Sequence, residues 1–155
     1  MSTRKVRTVG RQAGLAAVEF AITLPVLLLL MLSIAELGRM LSQYDTLTKA
    51  VRDSCRYVAS KAAIGTTDVV SITPQLQGEA GNLVAYGNVN GTGTALLTGL
   101  VPSNVTVADA GGGYVSVSAT YTYSPMIGKT LPTFGLGNPI PLNLSLTTAV
   151  TMRAL

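Results

Sequence analysis

Residues 15–35, LAAVEFAITLPVLLLLMLSIA, form an apolar run relieved only by Glu19 and the small hydroxyls of Thr23 and Ser33. A helix of that length reaches about 30 Å, the thickness of a bilayer hydrocarbon core. Arg4, Lys5, Arg7 and Arg11 precede the run and Glu36 follows it. By the positive-inside rule this predicts a single-pass protein with a cytoplasmic N-terminus and an exported remainder. A cleaved secretory signal has the same broad description. Against it, the run exceeds the usual apolar length of such signals, roughly 7 to 15 residues, and it holds a carboxylate. Beyond it, SIAELGRMLSQY continues as helix with no small-residue cleavage site.

Composition narrows the function classes. The chain is 48% hydrophobic and 12% charged, against about 25% charged in soluble domains. The net charge of +4 belongs to the residues before the run, because from Leu15 onward basic and acidic side chains balance. The basic pI is therefore a topology signal, and no nucleic-acid partner is expected. With no His, no Trp and one Cys, the chain lacks the usual general base, the commonest metal ligand and any intrachain disulfide. Ser and Thr are plentiful but have no His beside them, and GNVNGTG at 87–93 lacks the Lys of a phosphate loop. No enzyme activity, metal, cofactor or small-molecule substrate is expected.

After the run, Leu37, Leu41, Tyr44, Thr48, Val51, Cys55, Val58 and Ala62 recur at alternating spacings of four and three, the mark of a helix packed along one side. One helix is predicted from about Leu15 to about Ala63, stopped at Gly65, with Pro25 as a candidate kink. Its seam would bind the chain's own domain or another subunit, and Cys55 on that seam reads as a small buried hydrophobe. From 65 onward Gly, Thr, Ser and Asn dominate and β-branched residues alternate with polar ones, as in strands and turns. A short helix is expected over 75–86 and a hairpin around the glycines 111–113, with Tyr114, Tyr121 and Tyr123 packed in the core or exposed as a patch. Residues 129–141 should be an irregular connection. The last strand is expected over 142–153, with Leu142, Leu144, Leu146 and Thr148 on one face. The fold class is α+β: a long N-terminal helix, membrane-spanning in its first half, and a small antiparallel β-sheet domain. The expected divisions are a basic leader (1–14), a transmembrane helix (15–36), its extension (37–64) and a β-rich extracytoplasmic domain (65–155).

Residues 14–20, GLAAVEF, resemble the processing motif of the type IV pilin superfamily. The resemblance implies cleavage by a prepilin peptidase between Gly14 and Leu15, leaving Glu19 fifth and Phe20 sixth in the mature chain. More narrowly, residues 14–59, with Pro25, Glu36, Leu37, Gly38, Arg39, Ala50, Arg52, Arg56 and Tyr57, resemble the TadE-like pseudopilins of the tight-adherence (Tad, or Flp) pilus. Asp53, Ser54 and Cys55 depart from the Glu-Gly-Ala-like run expected there, and TadF-like subunits share the leader motif. What this implies is a minor pseudopilin in the bacterial inner membrane, assembling with other pilin and pseudopilin subunits (TadF-like, the Flp major pilin). In it, Glu19 would neutralise the freed α-amino group of a neighbouring Leu15. The competing expectation is an uncleaved signal-anchored extracytoplasmic binding module.

Overall fold

A computed structural model describes residues 10–64, 69–126, 128–131, 133 and 137–155, with side chains described from residue 14 onward. Good helix formers (Leu, Ala, Met, Arg, Lys, Glu) fill Gly10–Ala62, and this segment is one helix, α1, which runs on through Pro25. At about 1.5 Å per residue it is about 80 Å long. It ends at Ala62, where Ala63 makes an antiparallel bridge to Val70; the stop expected at Gly65 lies outside the described residues. The apolar window of α1 near its N-terminus is unburied and is the one helix among the described residues that is long and apolar enough to cross a membrane.

The second helix, α2 (Pro74–Tyr86), carries its own boundary signals. The Thr73 hydroxyl accepts the Leu76 amide at 3.2 Å, Pro74 occupies the first turn, and Gly87 closes the helix at φ 74°. These satisfy groups that a helix end otherwise leaves bare. Three longer strands, β1 (Val105–Gly111), β2 (Tyr114–Thr122) and β5 (Ser145–Arg153), form an antiparallel sheet in the order β1-β2-β5. The β1–β2 hairpin turns on Gly112 and Gly113 at φ 61° and 79°, a conformation that a side chain would strain, so a run of glycines stands there. Alternation is clean in β2: Val115, Val117, Ala119 and Tyr121 are buried, while Tyr114, Thr120 and Thr122 are exposed.

One face of the sheet is therefore covered and the other is wet. Both helices lie on the covered face, and the core gathers Leu47, Val51, Cys55 and Val58 of α1, Leu76, Ala80 and Val84 of α2, and the buried residues of β2. Two expectations are refined. The connection after Pro125 holds a short antiparallel ladder, β3 (Thr130–Leu131) with β4 (Ile140–Pro141). The last strand begins at Ser145, because the Leu144 amide bonds back to the Leu142 carbonyl (2.9 Å) and the Leu142 amide to that of Lys129 (3.0 Å). The chain turns there, so Leu142 and Leu144 precede the strand, and the inward face is Leu146, Thr148, Val150 and Met152.

Candidate functional site

Gly14, Leu15, Glu19 and Phe20 all lie exposed on the first turns of α1. Leu15 and Glu19 are one turn apart and share a face. A Cβ on Gly14 would meet nothing within 4 Å among the described residues. The seam divides in two. Val51, Cys55 and Val58 are buried in the core, whereas Leu37, Leu41 and Tyr44 are exposed. The residues that face the domain in this upper stretch are Glu36, Met40, Gln43 and Leu47. Each exposed seam residue stands one position after a covered one, a rotation of about 100° on a helix. Polar Glu36 and Gln43 hid the true stripe from a search for apolar periodicity.

Glu36 is the most unusual of these. It is 5% exposed although it is the first charge after the apolar run. The Tyr123 hydroxyl donates to its Oε1 at 2.5 Å and the Met126 amide donates to the same oxygen at 3.0 Å. Tyr123 also approaches the Glu36 carbonyl at 3.3 Å. Burial first, then the hydrogen bond and the charge of Glu36, push the Tyr123 phenol up to about 12. The chain leaving β2 is thus fastened to the helix at one carboxylate. Beside it lies a cleft of about 190 Å³ lined by Ser33, Leu37, Met40, Leu131, Leu142 and Leu144 together with Glu36 and Tyr123. On the same helix face the Arg39 Nε and Gln43 Oε1 atoms are buried with no hydrogen-bond partner among the described residues.

A second polar cluster ties α1 to α2. Lys61 donates to the Tyr57 hydroxyl, Tyr57 donates to Glu79 Oε2 at 2.6 Å, and Gln75 donates to Glu79 Oε1 at 2.9 Å. The Tyr57 hydrogen bond raises the Lys61 ammonium and lowers the Glu79 carboxyl. Being at the surface, this cluster orients more than it stabilises. Deeper in, the Ser54 hydroxyl donates to the Ala80 carbonyl at 3.0 Å, which draws the two helices together. The Cys55 thiol lies 3.3 Å from the Val150 carbonyl, and burial pushes it up in pKa, the environment of an inert thiol. Among the described residues no three His, Cys, Asp or Glu side chains are grouped to hold a metal.

A long apolar helix, bare along its first half and packed through its second against a small three-stranded antiparallel sheet and a short helix, defines an α+β protein with a candidate membrane span. Residues 14–56 match the family model described as TadE-like protein, a pilus-associated family that is structural rather than catalytic. The match begins at Gly14, takes in Glu36, and ends within α1, so the sheet and α2 lie beyond it. No curated protein and no solved structure matches the chain.

Proposed function

We propose that the chain is a TadE-like minor pseudopilin. A prepilin peptidase cuts it between Gly14 and Leu15, α1 holds it in the bacterial inner membrane, and it takes part in assembling a Tad/Flp adhesive pilus with other pilin and pseudopilin subunits. The observation that carries this reading is the TadE-like match starting at Gly14 on a helix whose apolar window is unburied within its own chain. Residues 1–14 are then a basic leader, residues 15–36 the span with its N-terminus cytoplasmic, and the domain extracytoplasmic. A carboxylate inside a span costs about 2.5 to 3.5 kcal/mol on insertion scales. Glu19, exposed at the start of the run, offsets that cost by pairing with the freed α-amino group of a neighbouring Leu15, an attraction that strengthens in an apolar medium. Phe20, next to it, packs between adjacent helices. Leu37, Leu41 and Tyr44 continue the apolar surface above the membrane for contact with another subunit.

Intact-mass analysis and N-terminal sequencing of the protein from its own membranes test the reading. The wild type is expected to begin at Leu15 and Gly14→Ala to keep the leader. Glu19→Ala is expected to be cut normally and to leave pilus assembly impaired. A wild type that retains residues 1–14 refutes processing and leaves an anchored extracytoplasmic binding module.

A further inference from the structure

The domain end built around Glu36 combines four features. Glu36 ends an apolar run whose helical length fills a hydrocarbon core, which sets this carboxylate at the level of the lipid headgroups. Its hydrogen bonds to Tyr123 and the Met126 amide hold the chain after β2 at that same level. Large apolar side chains crowd there in the open: Met126 is 70% exposed, Ile140 51% and Leu144 48%. Ile140 is paired to Leu131, and Leu131 and Leu144 line the cleft against Ser33 and Leu37. Finally, residues 110–152 contain one charge, Lys129, which is exposed, so little charge has to be desolvated when this end meets lipid.

We propose that this end of the domain is seated in the membrane surface, with Met126, Ile140 and Leu144 entering the headgroup and upper acyl layer beside α1. The proposal rests on the reading that residues 15–35 span a bilayer. Lipid is the occupant because these side chains flank the helix where it leaves the hydrocarbon, so their apolar surface is continuous with that of the span. Glu36 is then the positioning residue that holds the domain down. The opposite end is remote: Tyr114 lies beyond the β1–β2 turn, where the Ala154 amide bonds to Gly113 and the Leu155 amide to Ala59, about 35 Å along α1 from Glu36.

The protein has no tryptophan, so single reporters can be read without background. Full-length Met126→Trp, Ile140→Trp, Leu144→Trp, Tyr114→Trp and Leu28→Trp are placed in lipid nanodiscs carrying phospholipids brominated either near the headgroup or deep in the chain. The expected result is blue-shifted emission at 126, 140 and 144, with quenching by shallow bromines severalfold stronger than at 114. Leu28→Trp should be quenched most by deep bromines. Quenching at 28 with 126, 140 and 144 no different from 114 overturns the proposal while leaving the span intact. No quenching at 28 overturns the span and the proposal together. A blue shift at the three positions that ignores bromine and grows with protein per disc assigns the surface to a second copy and also overturns it.

Discussion

Glu36 and Tyr123 are 87 positions apart in sequence, and either residue alone has an unremarkable reading: one as the acid that closes an apolar run, the other as an aromatic at the end of a strand. Together they bury a carboxylate that has two donors on one oxygen. Glu36→Ala removes the carboxylate acceptor, which leaves the Met126 amide unpaired and the Tyr123 hydroxyl with only its longer, 3.3 Å contact to the main-chain carbonyl of residue 36, so a loss of about 1 to 3 kcal/mol is expected, read as a lower thermal midpoint of the sheet in mild detergent. Alkaline pH tests the same contact. An ordinary phenol titrates near 10, and Tyr123 in the fold is raised to about 12. Between those values the unfolded chain has released its proton while the folded one retains it, so stability is full below pH about 10 and falls as pH rises toward 12. Tyr123→Phe should start less stable and lose less across that window. Tyr121, also raised by burial, keeps some slope.

At the level of elements, α2 contains a pair of glycines that its sequence cannot tell apart. Among the described residues, a Cβ on Gly78 would meet nothing within 4 Å, whereas one on Gly81 would lie 3.0 Å from both the Cβ and the carbonyl oxygen of Pro102. Pro102 opens a short 3-10 turn, Pro102–Asn104, held by the Val101 amide on Asn104 Oδ1, and neither contact atom belongs to a flexible side chain. Gly78→Ala should therefore stabilise by about 0.5 to 1 kcal/mol through helix propensity. Gly81→Ala should lose about 1 to 3 kcal/mol from overpacking. Opposite signs in paired denaturation curves are the check. The same limit applied to the seam of α1. Apolar periodicity was legible, and it found Val51, Cys55 and Val58, but at 37–44 it followed the leucines and not Glu36 and Gln43, because nothing along the helix marks a polar residue as covered: the partners of Glu36, Tyr123 and Met126, stand 87 and 90 positions away.

For the whole molecule, the helix, α2 and the sheet meet at one core that has Cys55 near its centre, fully buried between α1 and β2. Opening enough to admit a reagent means separating the helix from the sheet. Maleimide labelling of Cys55 should thus be very slow in the native protein, accelerate in urea together with loss of the sheet, and show no separate fast phase. Fast native labelling would mean that the helix and sheet part more readily than their packing implies. What the sequence determined by itself was whatever depends on neighbours along the chain. The apolar length of the span, the charge asymmetry around it, the helical run to Ala62, the glycine turn and the alternation of β2 all follow from local periodicity and backbone chemistry. Tertiary structure alone decided which flank of α1 the domain covers, that Glu36 is buried and fastened to Tyr123, and that Gly81 abuts Pro102 while Gly78 does not. Those depend on which atoms a folded chain brings within a few ångströms, and spacing along one strand or helix carries no record of it.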